Sequence, residues 1–370
     1  MEYHYISDGQ GLTAMLDACR GRPVIAIDTE FARFNTYYPM IGLLQIGIGS
    51  DNYLVDPLVI EDLTGLRDLM LAPQTLKVLH SGSEDMEVFQ HWLGCVPAPV
   101  FDTQIAAGMV GIGYALSYQK LVAHFLKIDV PKGETRSDWL ARPLRQSQCD
   151  YAALDVIHLF EIYPALADEL NRLNRYPWAL AESAKLTEAL PTQAPHALAY
   201  QKVKGFAALS QRQLAHLQGI CAWREREAQA QNIPKNRVLD GDEVLRLAQL
   251  EILSEKDLLA SARLSRRTVA RYGATLIDLA AEARARPAEA LPPKPSADTT
   301  PVNKAKLDRL RQVVARQAKA LMIAPELLSR RRDLEAIIKS ANRGKAALPD
   351  FMQGWREAVI GQPLLEAMNK

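Results

Sequence analysis

The sequence predicts an α/β body, a mixed sheet covered by helices, followed by two small all-helical domains. Three observations carry that expectation. Strand-like apolar runs cluster within the first 80 residues, and helical spacing dominates after them. Prolines break the pattern twice, at Pro191 and Pro195 and again through 286–303, which holds Pro287, Pro292, Pro293, Pro295 and Pro301. Charge is divided unevenly: residues 1–190 carry 14 Lys and Arg against 24 Asp and Glu, 191–301 carry 16 against 12, and 302–370 carry 14 against 7. An acidic body joined to basic modules suits a metal-using domain attached to segments that meet a polyanion.

Composition sets the outer bounds. At 370 residues the chain has room for two or three domains of about 100 to 200 residues each, and its 48% hydrophobic content supports real cores. No apolar run approaches the roughly 18 to 20 residues that span a bilayer, and the start, Met1-Glu2-Tyr3-His4-Tyr5, has neither a basic nor an apolar leader region. A soluble cytoplasmic protein is expected. Cys19, Cys95, Cys149 and Cys221 are scattered without a Cys-x-x-Cys pair, so buried reduced thiols are expected rather than disulfides or a zinc site.

In chain order, strands are expected at Val24–Ile27, Gly42–Ile48, Tyr53–Val55 and Leu76–Leu79, the first three spaced for an antiparallel meander. Asp62–Leu71 reads as a helix, and Ser83–Phe89 as another with Ser83 as its N-cap. Val100–Thr103 reads as a strand leading into a helix at Gln104–Met109, with mostly helix from there to about Leu190. Domain 1–190 therefore ends at the first proline break. A helical domain follows over 206–285, with helices at Arg212–Gln231, Asp242–Leu250, Ser254–Arg263 and Thr275–Ala283 and a turn at Ile233–Asn236. The Pro-rich stretch 286–303 reads as a stiff linker, and 304–370 as a second helical domain. A shift of 90 residues lays Ile233 on Ile323, Val238 on Leu328, Val244 on Leu334 and Leu247 on Ile337, so the two helical pieces read as a diverged repeat or as unrelated bundles in chance register.

The chemistry-bearing residues are acids. Asp28 and Glu30 end the first predicted strand two positions apart, so they share a face about 6 to 7 Å apart along the chain. Alone, that pair is an acidic turn; held together, it needs a cation. Asp85 sits in the first turn of the helix that follows His80-Ser81-Gly82, where alone it would be a dipole-stabilising acid. Tyr151 and Asp155 stand at i and i+4 of a predicted helix, hence on one face, with Asp150 turned away. Four acids without Cys or His ligands point to a hard cation, Mg²⁺ or Mn²⁺. Two such ions about 3.5 to 4 Å apart suit in-line phosphodiester hydrolysis.

Val24–Phe31, His80–Asp85 and Tyr151–Asp155 resemble the three exonuclease motifs of the DEDD superfamily, in its tyrosine-containing branch, whose catalytic domain is ribonuclease H-like. Leu44-Gln45-Ile46, Phe101–Gln104 and Glu134–Leu144 extend the resemblance to the ribonuclease D family. The helical pieces are similar to the domain shared by RecQ-type helicases and ribonuclease D, the HRDC domain, most clearly at Trp223-Arg224 and Ile233–Leu239. In 304–370 the tryptophan and the Pro-x-Asn-Arg turn of the first piece are missing.

The resemblance implies a 3′–5′ exoribonuclease that releases 5′-mononucleotides using two divalent metal ions, and that acts as a monomer in tRNA 3′ processing and on other 3′-extended structured RNAs. It implies that Asp28, Glu30 and Asp155 hold one ion, Asp28 bridging to the second, with Asp85 supporting that second ion. Tyr151 would orient the attacking water, Phe31, Arg33 and His80 would meet substrate, and Asp102 would support the site. A 3′–5′ DNA exonuclease or a non-catalytic nucleic-acid scaffold on the same fold are the competing readings, since the acids do not distinguish the sugars.

Overall fold

A computed structural model describes residues 2–131, 133–134, 136–188, 196–294 and 303–369. In the N-terminal body the elements run β1 (His4–Ile6), α1 (Gly9–Cys19), β2 (Val24–Ala32), β3 (Met40–Gly47), β4 (Asn52–Val55), α2 (Thr64–Leu71), β5 (Leu76–Leu79), α3 (Ser83–Leu93), β6 (Val100–Asp102), α4 (Thr103–Met109), α5 (Tyr118–Leu126), α6 (Gln146–Arg172) and α7 (Tyr176–Glu188). The sheet order is β1-β4-β3-β2-β5-β6. Strands β2, β3 and β4 form the expected antiparallel meander, while β5 and β6 join in parallel.

Strand alternation divides the core. Ile25 and Ile27 of β2 pack with Leu44, Ile46, Leu66, Met86 and Phe89 on the face covered by α2 and α3. Ala26, on the opposite face, packs with Val156 and Leu159 of α6. Two elements went unread in the sequence. β1 is a three-residue edge strand paired with β4, and α1 is capped by Asp8, whose carboxylate accepts from Gly11 N at 2.7 Å. The expected Ser83 cap is also corrected: Gly82 is the capping residue, and its N–H donates to Asp102 Oδ2 at 3.0 Å, so Ser83 begins the helix proper.

By contacts the described chain falls into two compact units, Met1–Ala32 with Pro39–Leu190 and Thr300–Lys370, and Arg33–Tyr38 with Pro191–Thr299. The second unit holds α8 (Gln211–Gln231), α9 (Lys235–Val238), α10 (Gly241–Gln249), α11 (Glu255–Ala260) and α12 (Arg266–Ala285) around Trp223, Leu247, Leu258 and Tyr272. Within that unit Tyr37 is held by its hydroxyl on Glu225 at 2.8 Å. Of the expected linker, a single 3-10 turn at Ala288–Ala290 is described, and 295–302 lie outside the described residues, as do 189–190 at the expected first boundary.

The C-terminal piece, α13 (Lys304–Leu321), α14 (Pro325–Leu328), α15 (Arg331–Asn342) and α16 (Gln362–Asn369), belongs to the first unit. Leu310, Val314, Leu328, Ile337 and Leu364 share one core with Phe101, Ala106, Ile162 and Leu166. Arg356, 2% exposed, anchors that contact by giving Nη2 to Glu182 Oε2 of α7 at 2.7 Å and Nε to the Leu327 carbonyl at 2.8 Å. Trp355 stacks on Trp178 with centroids 4.9 Å apart. At Gly111, φ +86°, a Cβ would meet the Met322 carbonyl oxygen at 2.3 Å, so only glycine lets these backbones touch.

The 90-residue register is visible in the backbone. Helices α8 and α13 both end in left-handed caps, Asn232 at φ 48° and Met322 at φ 54°. The next residues, Ile233 and Ile323, bond back to Ala228 and Ala318 at 3.0 Å, and the short helices α9 and α14 start two residues later.

Candidate active site

The site forms where β2 outruns its neighbour. β5 pairs with β2 over Val24–Ala26, and β2 continues past that pairing through Asp28 and Glu30. The same alternation that buries Ala26 against α6 turns Asp28 and Glu30 to that face, and α6 delivers Asp155 to it. One carboxylate oxygen from each of Asp28, Glu30 and Asp155 lies within 4.8 Å of the others. A bulge between Glu30 and Phe31 then breaks the β2–β3 register.

Asp85 reaches the cluster from the other side. Its carboxylate accepts a hydrogen bond from the Thr29 hydroxyl, on the β2 face opposite Asp28. The sequence had placed all four acids together, whereas the geometry joins three directly and holds the fourth through Thr29. Electrostatics still links them. Burial, followed by the Asp85, Asp155 and Glu30 carboxylates, holds Asp28 well above its ordinary range. Burial, then Asp155 and Asp85, does the same to Glu30. Burial pushes Asp155 up to about 7 and Asp85 up to about 6, the latter opposed by its Thr29 hydrogen bond. Oxygen donors crowded to the point of holding protons are the donor set a hard divalent cation takes, and these residues fit one.

Tyr151 is buried one turn before Asp155, its ring 6.3 Å from that of Trp139. Burial, then Asp155, Glu30 and Asp28, raises its pKa, so the phenol keeps its proton and can donate a hydrogen bond. Asp150 turns away, as expected, and accepts from Gln146 at 3.0 Å.

The expected peripheral residues separate. His80 has both ring nitrogens engaged, Nδ1 with Thr103 Oγ1 at 2.9 Å and Nε2 with the Leu116 carbonyl at 3.1 Å. Asp102 caps α4, accepting from Gln104 N at 2.8 Å, and accepts from Gly82 N, which fixes the turn that presents Asp85. Phe31 follows Glu30 at the bulge and is half-buried, while Arg33 falls in the segment Arg33–Tyr38 of the other unit.

Two supports escaped the sequence reading. Arg142 forks onto Asp56, Nε to Oδ2 at 2.6 Å and Nη2 to Oδ1 at 2.7 Å, and also donates to the Trp139 carbonyl at 2.9 Å. This clamp holds the segment that seats Trp139 against Tyr151. Tyr118 donates its hydroxyl to the carbonyls of Leu154 at 2.9 Å and Asp155 at 2.7 Å. An Asp-Pro pair ending a strand and an arginine between two turns were the visible traces of the clamp; a tyrosine aimed at main-chain carbonyls leaves none.

Comparison with known proteins identifies the family. Residues 3–171 match a family model described as 3′-5′ exonuclease, 213–279 an HRDC domain, and 301–364 the C-terminal HRDC domain of ribonuclease D. The ribonuclease D of Pseudomonas paraeruginosa is 42% identical over 373 residues, covering 100% of this chain and 98% of the relative. The chain belongs to the ribonuclease D family. Ribonuclease D of Escherichia coli is 32% identical over 98% of both chains. The crystal structure of Escherichia coli RNase D, described as an exoribonuclease involved in structured RNA processing, superposes with a TM-score of 0.93, covering 100% of this chain and 99% of that one. The ribonuclease D assignment makes the chain a 3′–5′ exoribonuclease, a hydrolase with divalent-metal chemistry, built from an exonuclease domain and two HRDC domains.

Proposed function

We propose that the chain trims RNA from its 3′ end, releasing one 5′-mononucleotide per cycle, with Asp28, Glu30, Asp85, Tyr151 and Asp155 as the catalytic set. The observation that carries this reading is the trio of carboxylates within 4.8 Å of one another with Tyr151 one helical turn from Asp155. Asp28, Glu30 and Asp155 would hold one divalent ion, Mg²⁺ or Mn²⁺, and Asp28 and Asp85 a second. When bound, such ions supply Lewis-acid charge stabilisation to an in-line displacement.

The protein's own groups do the rest. Tyr151, kept protonated, donates a hydrogen bond that orients the attacking water toward the terminal phosphodiester. Water adds across the P–O3′ bond, leaving a 3′-hydroxyl on the shortened RNA and a 5′-phosphate on the product. Thr29 fixes the Asp85 carboxylate, and His80, with both nitrogens engaged, shapes the turn before it rather than reaching substrate. Phe31 stacks on the terminal nucleotide.

The substrates would be tRNA precursors and other 3′-extended structured RNAs, bound with help from the net-basic HRDC segments through phosphate contacts. We place the enzyme in the cytoplasm as a monomer. Four buried, free cysteines fit a reducing compartment, and no helix among the described residues is long and apolar enough to cross a membrane.

Incubating the protein with a 3′-extended tRNA precursor and a matched DNA oligonucleotide, with Mg²⁺ or with EDTA, tests this. Stepwise shortening of the RNA with release of 5′-mononucleotides in Mg²⁺ alone is expected. Internal cleavage, 3′-mononucleotides or equal degradation of the DNA would contradict it.

A further inference from the structure

We infer that Gln45 is a positioning residue for Asp28, its side-chain amide donating to the Asp28 carboxylate when a divalent ion draws the acids together. This rests on the carboxylate reading of the site given above. Gln45 lies in β3 directly across from Asp28 of β2. Residues directly opposite in an antiparallel pair share a face, their Cβ atoms about 4.5 to 5.5 Å apart. A glutamine amide spans such a gap.

Its neighbours fix the face. Leu43, two residues earlier, packs with Tyr151 and Ala152, and a Cβ on Gly47, two residues later, would sit 3.1 Å from the Val156 carbonyl oxygen. On the far side Gln45 pairs with Leu54, a member of the same Tyr151 cluster. The amide therefore lies under the single turn from Ala152 to Val156 that carries Asp155.

In that position Gln45 is 0% exposed, and among the described residues neither Nε2 nor Oε1 has a hydrogen-bond partner. A buried amide with both ends unsatisfied weakens a fold, and one flanked by Leu43 and Leu54 would be replaced at no loss by leucine if packing were its task. The sheet instead keeps a polar group beside a metal-ligating carboxylate. A carboxylate has acceptor capacity for both a cation and a hydrogen-bond donor. An oriented amide then limits Asp28 to one rotamer, in the way that outer hydrogen bonds orient metal ligands.

The full-length chain, Gln45→Leu and Gln45→Met are compared in three readouts: melting temperature in EDTA, its rise with saturating Mn²⁺, and kcat and KM on a single-stranded RNA oligonucleotide. In EDTA both variants should melt at or above the parent's temperature, because an orphaned amide is gone. Their Mn²⁺-induced rise should shrink, and kcat should fall by about tenfold or more with KM within about twofold of the parent. A lower melting temperature in EDTA, failure of both variants to fold, or a kcat and Mn²⁺ response equal to the parent's would overturn the inference. A parent that neither melts higher nor cleaves with Mn²⁺ removes the carboxylate reading itself, and the inference with it.

Discussion

The acids near one another in space are 127 residues apart in sequence, and only their joint placement gives them meaning. Asp28-Thr29-Glu30 was legible as a strand end, and Tyr151 with Asp155 as one helix face. What the sequence concealed was Thr29, whose hydroxyl sits on the opposite face of β2 and binds Asp85. Asp28→Asn and Asp155→Asn should each leave a folded chain that binds RNA but cleaves it about a thousandfold more slowly, a barrier increase of about 4 kcal/mol. Near-parental cleavage by both purified variants would remove them from the catalytic set. The protonation of the site has a second consequence. With Asp155 raised to about 7 and Asp85 to about 6 from an ordinary 3.8, the metal-free fold binds protons that the unfolded chain has released. Its stability should therefore fall as pH rises from about 4 to about 7. Divalent ions compete with those protons, so the melting-temperature gain on adding Mn²⁺ should be larger at pH 8 than at pH 5. An equal gain at both values, read by differential scanning fluorimetry, would be inconsistent with shared occupancy of these carboxyls.

At the scale of elements, period-two alternation was enough to find β2, β3 and β4, because each has a face against a core. β1 is too short to show a period, and α12 begins nine residues before the expected Thr275, because Arg266-Arg267 and Gly273 look like a loop although Val269 and Tyr272 are buried. Pairing outside the elements is where sequence says least. The Arg142–Asp56 clamp joins residues 86 apart, with the Asp56 side chain 4% exposed. The arginine and its hydrogen bonds hold the Asp56 carboxyl below its ordinary range against the opposing effect of burial. Arg142→Ala leaves that buried carboxylate without its cation, with only the Tyr5 hydroxyl and Leu58 N–H among the described residues donating to it, and should destabilise the body by about 3 kcal/mol, with slower cleavage as Trp139 loosens against Tyr151. Urea denaturation checks this, and an unchanged midpoint would mean that the loop is held by packing alone.

For the whole molecule, proline breaks and charge separated the helical pieces from the acidic body, and the 90-residue shift related them to each other. Periodicity carries no information about which body each piece packs on. The C-terminal HRDC piece completes the core that holds Phe101 and Ile162, with Arg356 buried on Glu182. A chain ending at residue 294 should accordingly lose stability in the exonuclease body, seen as a lower melting temperature or aggregation, with activity on short oligonucleotides falling in step. A soluble truncation that melts with the parent would show the C-terminal piece to be dispensable to the body. The claim on which everything else depends is that Asp28, Glu30 and Asp155 form a divalent-cation site. Calorimetric titration of the metal-free protein and of Asp155→Asn with Mn²⁺ addresses it most directly. Two ions bound per parent chain and a loss of binding in the variant are the expected result; no binding to the parent, or an identical isotherm for the variant, would contradict it.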